Sequence, residues 1–318
     1  MPAEPSDSRH QRAIDALLNA GVSPEARTRC RQILSVYPAG TLEALKKSGL
    51  TFEITKGQAV QGVSASGNVA LGGYSPLERR IVFDEAVLMS NIGRHVVTHE
   101  MVHALDHMRG DRMKGNGLLD RFKSSGMLAS TKDSELAPIY ARYLARGAVE
   151  AVGQIRANLK AEHGALPPSA TINIEDNWGA MSVEYRQEGE QEVFRIEQQP
   201  RTAESDIQER MREKATGSAG ARRLPPTEVD VALARGGTAH VRQEGTVSTI
   251  TMPKSGANFT GDIWSDYAHR SCLPEEYVAE AFSHYLEGGN KRDEMQFVDP
   301  DMLAYTERVL TDEFNLHP

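Results

Sequence analysis

Residues 99–103 read His-Glu-Met-Val-His, and this spacing constrains the chain more than any other stretch. On an α-helix, residues four apart stand one turn apart on one face. His99 and His103 can therefore offer two imidazoles to a single cation, while Glu100 beside them can face a water on that cation. In a chain with ten histidines among 318 residues the pattern arises by accident only about 0.03 times. Its surroundings also suit a helix packed in a core. Val97, Met101, Leu105 and Met108 form an apolar stripe, Ser90 or Asn91 can cap the start, and Gly110 suits the end.

Two histidines extend the same ladder, His95 and His107. Successive steps of four residues drift by about 40° on a helix of 3.6 residues per turn, so four ligands from one straight helix cannot surround a tetrahedral ion. His95 and His107 are read as exposed or hydrogen-bonded bystanders. Asp106 lies two turns from His99 on nearly the same face. It can orient a ligand imidazole as an outer carboxylate, act as a third ligand, or be an ordinary polar residue. A metzincin continuation would need Gly at 106 and His at 109. Asp106 and Arg109 stand there instead, so that class is excluded. The other common third ligand is a glutamate from a later helix. Glu276 and Glu280, four apart in Pro-Glu-Glu-Tyr-Val-Ala-Glu-Ala-Phe (274–282), are the candidates, against the alternative of a solvated acidic face. Val278, Phe282 and Tyr285 would form the apolar side of that helix.

The charge of −8 argues against a nucleic-acid partner, since phosphate contacts need clustered basic side chains. No apolar run approaches the roughly 18–20 residues that span a bilayer, so no membrane span is expected. Two cysteines, Cys30 and Cys272, exclude a disulfide framework and fit a reducing compartment. The first ten residues, Pro- and Ser-leaning, read as a disordered leader without the apolar core of a signal peptide. The expectation is a cytoplasmic protein by default, or one secreted or injected into a host cell by a specialised secretion system.

Hydrophobic periodicity predicts an α+β fold. Helices are expected over 12–20, 24–36 and 42–48, strands over 50–55 and 80–84, and a Gly/Ser-rich loop over 57–73. A long helix over 135–162 follows, then short strands over 171–175, 180–186, 192–196, 229–234, 240–242 and 247–252, with a polar helix near 204–215. The division read from this pattern is 1–40 for the leader and first helices, 41–110 and 258–318 for a split core domain, and 111–257 for an insertion. The insertion is helical over 111–165 and mostly β over 166–257.

Certain residues together resemble a known family. The segment Leu-Glu-Ala-Leu-Lys-Lys-Ser-Gly-Leu-Thr-Phe-Glu-Ile (42–54) is followed by Gly-Gly-Tyr-Ser-Pro (72–76), the Ile-Val-Phe strand (81–83) and Thr-His-Glu-Met-Val-His-Ala-Leu-Asp (98–106). With Glu-Tyr-Val-Ala-Glu-Ala-Phe (276–282), these residues resemble the anthrax lethal factor-like gluzincin metallopeptidases, a group that includes the clostridial Pro-Pro endopeptidases. The likeness covers about 40–110 and 258–290. It implies a zincin-like metallopeptidase domain with one Zn²⁺ per chain, held by His99, His103 and Glu276, and with Glu280 as an outer carboxylate. It also implies a tyrosine shortly before the glutamate that donates to the developing oxyanion. Tyr267 matches, with His269 as an alternative donor because the spacing to Glu276 is about two residues longer than in the family. Another departure is the separation of 173 positions from His103 to Glu276, where the family needs a few dozen.

The implied activity is zinc-dependent hydrolysis of a peptide bond in a protein or peptide substrate, with Glu100 as proton acceptor, possible in a toxin or effector that acts on a host protein target. One alternative is a zinc-stabilised scaffold that binds a partner through the β insertion without turnover. Another is a zinc hydrolase of a non-peptide amide. Glu100 discriminates against the scaffold, which has no use for a proton acceptor.

Overall fold

The computed structural model describes residues 6–57, 60–63, 69–70, 72–76, 78–113, 128–131, 133–176, 179–200, 225–233, 236–254, 264–265, 269 and 273–317. Helices and strands both contribute substantially, giving a mixed α+β chain. The described residues divide into two units, one formed by those up to Thr131 and from Val278 onward, the other by those from Asp133 to Tyr277.

The first unit begins with helices α1 (Ser6–Leu17), α2 (Pro24–Leu34) and α3 (Ala39–Lys47). The expected leader is thus helical from Ser6 onward. Ala13, Ile14 and Leu17 are buried, and Arg9 makes a double hydrogen bond to the Glu43 carboxylate. That exposed pair contributes little; the apolar side chains hold α1 in place. Pro24 sits in the first turn of α2, where its missing N–H costs nothing, and the Ser23 hydroxyl accepts from Ala26 N–H at 3.1 Å.

Strand β1 (Thr51–Thr55) follows, then β2 (Val60–Val63), β3 (Val69–Ala70), β4 (Gly72–Ser75) and β5 (Arg80–Asp84). The sheet order is β1-β5-β4, with β5 parallel to β1 and antiparallel to β4. Alternation places Phe52, Ile54, Ile81 and Phe83 on the buried side, and each such side chain stabilises the fold by roughly 1.5–3 kcal/mol. The Gly/Ser-rich stretch over 57–73 is therefore not only a loop. It carries β2, β3 and the start of β4, because Val60, Val63, Val69 and the backbone of Gly72 and Gly73 find ladder partners.

Asp84 caps the short helix α4 (Glu85–Met89) by accepting from Ala86 N–H. Helix α5 (Gly93–Met113) then starts after a tight turn. A Cβ at Gly93 would run into the carbonyls of Val87 and Leu88, so the turn requires glycine. Gly110 does not end α5 as expected. It is buried inside the helix, which continues to Met113.

In the second unit, α6 (Leu136–His163) ends at Gly164, whose φ of 77° supplies the left-handed cap. It packs on a six-stranded antiparallel sheet built from β6 (Ser169–Asp176), β7 (Gly179–Glu188), β8 (Gln191–Pro200), β9 (Thr227–Ala232), β10 (Thr238–Glu244) and β11 (Val247–Pro253). The strand order is β6-β7-β8-β11-β10-β9. Ala148, Val152, Ile155 and Leu159 of α6 share one core with Val183, Phe194, Ile196, Val241 and Ile250. Within it, Arg156 pairs with the buried Glu192, which also accepts from Tyr185 Oη at 3.1 Å. The polar helix expected near 204–215 lies outside the described residues.

Three helices complete the chain: α7 (Pro274–Glu287), α8 (Asn290–Val298) and α9 (Pro300–Phe314). The division between the units falls inside α7, whose hydrogen-bonded rod is continuous from Pro274. Arg109 of α5 donates to Glu313 at 2.8 Å and to Tyr305 Oη, fastening α9 to α5. Among the described residues no helix is long and apolar enough to cross a membrane.

Candidate metal centre

Helix α5 is buried on all sides from Val97 to Met108, including His99, Glu100, His103, Asp106 and His107. A helix of this kind sits at the centre of a fold, and its polar groups need partners. Helix α7 is of the same kind: every residue from Pro274 to Leu286 is buried. Glu276 and Glu280 are only 9% and 7% exposed, so they do not form a solvated acidic face.

The ligand-bearing side chains of the two helices meet in rungs. His99 and His103 group with Glu276, His95 and His99 with Glu280, and His95 with His284 and Glu287; within each group the potential ligand atoms lie within 4.8 Å of one another. Rising numbers on one helix meet falling numbers on the other, so the two helices run antiparallel along this seam.

Glu280 organises the seam. Its Oε1 lies 3.0 Å from His99 Nδ1 and 3.2 Å from His95 Nε2, and its Oε2 lies 3.5 Å from His284 Nε2. Burial pushes the Glu280 carboxyl up, but the hydrogen bonds from His284, His95 and His99 outweigh it and hold the group well below the usual carboxylate range. An ionised carboxylate can only accept. His99 Nδ1 must therefore carry the proton, which leaves the lone pair of a neutral ring on Nε2.

That Nε2 faces His103 Nε2 at 3.2 Å. Two nitrogens bound at 2.0–2.1 Å to one tetrahedral ion would stand about 3.3 Å apart. The His99–His103 pair and the buried Glu276 carboxylate thus form one group of potential ligand atoms, and Glu280 accepts from the far side of the His99 ring. Buried His and Glu groups that can bind a metal ion are present here.

The other expected residues take different places. Glu100 is 8% exposed and lies against β4: a Cβ on Gly72 would stand 3.5 Å from Glu100 Cγ and 2.8 Å from Val96 Cγ1. Asp106 does not orient a ligand imidazole by hydrogen bonding. Among the described residues its carboxylate accepts from Ser130 N–H at 3.0 Å and Ser130 Oγ–H at 2.5 Å, tying the turn over Ala129–Thr131 to α5. Burial raises its pKa to about 6 against the opposing Ser130 hydrogen bonds. His107 is a hydrogen-bonded bystander whose Nδ1 pairs with Tyr74 Oη at 2.6 Å, linking α5 to β4.

Tyr267 lies outside the described residues. His269, the alternative donor, is buried against Gly147 of α6 and stands 3.3 Å from Gln198 Nε2. Neither it nor Asp106 belongs to the clustered His/Glu groups of the described residues.

His95 is more than a bystander. Hydrogen bonds to Glu280 and Glu287 raise its pKa to about 9 despite burial, and its ring stacks on His284 at 5.2 Å. The four-residue spacing of Glu276, Glu280 and His284 was the available sign that α7 carries a polar seam. Which histidine each would meet depends on the antiparallel register, which spacing along one helix does not encode.

In comparison with known proteins, no family model, curated protein or solved structure matches the chain.

Proposed function

We propose that the chain is a zinc-dependent endopeptidase of the gluzincin type, with a zincin-like first unit and one catalytic Zn²⁺ held by His99, His103 and Glu276. The observation that carries this reading is the pairing of His99 Nε2 with His103 Nε2 at 3.2 Å, beside Glu276 and with Glu280 behind His99. The motif resemblance to lethal factor-like peptidases points the same way.

A zinc ion supplies Lewis acidity at such a site, polarising a peptide carbonyl and lowering the pKa of a water toward about 7. Glu100 accepts that water's proton and returns it to the leaving amine. Glu280 holds His99 in the tautomer that presents Nε2, and keeps its ring from turning. Tyr267 donates to the oxyanion, a contact strongest in the transition state; this role rests on the resemblance alone. A toxin or effector that cleaves a host protein is the setting the resemblance suggests.

A second reading draws on the separate core of the second unit. There the sheet is a recognition module and the first unit a zinc-stabilised scaffold. A randomised peptide library separates the two. The protease reading expects cleavage that stops on chelation and returns with Zn²⁺. The scaffold reading expects no cleavage, with chelation lowering only the melting temperature.

A further inference from the structure

We propose a second divalent-metal site one turn along the same seam, formed by His95, His284 and Glu287, for a cation of the Zn²⁺ class. It is separate from the His99–His103–Glu276 group and holds whether or not that group supports catalysis.

The two sites share one construction. A metal-ligating imidazole characteristically donates its remote N–H to a carboxylate, which fixes the ring and leaves the other nitrogen for the ion. Glu280 accepts in this way from three rings: His99 through Nδ1, His95 through Nε2 and His284 through Nε2. For His99 the opposite nitrogen faces His103. For His95 the opposite nitrogen, Nδ1, faces Glu287 Oε1 at 3.1 Å. The rings of His95 and His284 stack with only 24° between their planes, and their ligand atoms and those of Glu287 fall within one 4.8 Å cluster. Two imidazoles and one carboxylate suit Zn²⁺ and neighbouring transition metals rather than Ca²⁺ or Mg²⁺, which select oxygen.

Access also differs usefully between the members. The His284 side chain is 9% exposed, whereas those of His95 and Glu287 are 33% and 23% exposed. An ion can enter from the solvent side and keep water in a fourth position, while His284 forms the buried wall. Glu280 then serves two ions at once, because its two oxygens reach the rings of both groups. Loading one site stiffens the carboxylate that orients the other.

The test is metal stoichiometry of the full-length, metal-stripped protein, titrated with Zn²⁺ and checked by elemental analysis after desalting, with Co²⁺ absorption as a second readout. Wild type is expected to take two equivalents. His103→Ala with Glu276→Gln, which removes only the first group, should retain one. Glu287→Gln and His95→Asn, both at the partly exposed wall, should each drop the total to one while the far-ultraviolet circular dichroism stays that of the wild type. A wild type that takes one equivalent or none overturns the proposal. So do two equivalents in both Glu287→Gln and His95→Asn. One equivalent surviving in His103→Ala/Glu276→Gln supports this proposal, whereas failure of the protease reading shows separately, as two equivalents bound by a wild type that cleaves no peptide.

Discussion

Nδ1 of His99 lies 3.0 Å from Oε1 of Glu280, and that contact decides which face of the imidazole is offered to a ligand. If Glu276 binds the ion and Glu280 only positions His99, their substitutions should differ in kind. Glu276→Gln should abolish tight binding at the first site. Glu280→Gln should weaken it by roughly 10–100-fold. Competition against a chromophoric chelator measures both, and the reverse order would exchange the two assignments.

Asp106 and Ser130 form a buried pair in which both carboxylate oxygens are engaged. Ser130→Ala should destabilise the fold by about 1–3 kcal/mol, because one oxygen is left buried without its hydroxyl donor. The pair also carries a pH signature. The Asp106 pKa is raised from 3.8 to about 6, so folding favours its protonated form. Its contribution is fully present below pH 3.8 and is lost as the pH rises through about 6. Urea unfolding of the metal-stripped protein should show wild type losing stability relative to Asp106→Asn across that window. Parallel pH profiles would refute the raised pKa.

Gly147 lies in the interior of α6, where a Cβ would overlap the His269 ring. Alanine normally improves a helix by about 0.8–1.0 kcal/mol over glycine. Here overpacking should win, and Gly147→Ala should cost about 1–3 kcal/mol. Thermal unfolding reads the sign directly.

Cys30 is fully buried in α2, and burial pushes its thiol up to about 12 despite the nearby Arg27. Only the thiolate is reactive. Iodoacetamide at pH near 8 should leave Cys30 unlabelled in the folded protein and modify it once denaturant is added, as followed by peptide mass spectrometry. Fast labelling under native conditions would show that α2 opens readily.

Much of this architecture could be read from local pattern. Strand β5 and helix α7 have the limits that alternation, Pro274 and Gly288 suggest, because each is bounded by residues whose backbone preferences are strong. The helix expected over 12–20 is present but starts earlier, at Ser6, and ends at Leu17; its first turn was hidden because it is polar and carries no apolar periodicity. Strands β2 to β4 were hidden too, because short Gly-rich segments become strands only through their partners. At the metal centre, His99, Glu100 and His103 are legible from one helical period. Their relation to His95, His284 and Glu287 needed the packing of α5 against α7, a tertiary fact. The hydrogen-bond partner of Asp106 was out of reach for the same reason: Ser130 is 24 residues on, and nothing in the helix spacing points to it.

In the proposed mechanism Glu100 moves the proton at a site that His99, His103 and Glu276 hold. Glu100→Gln tests it most directly, with metal content and cleavage of a peptide library measured on the same preparation. The variant should keep wild-type metal content and a wild-type melting temperature while turnover falls by at least about 100-fold, the lower end of what a positioned general base contributes. Cleavage at the wild-type rate with the metal in place would contradict it.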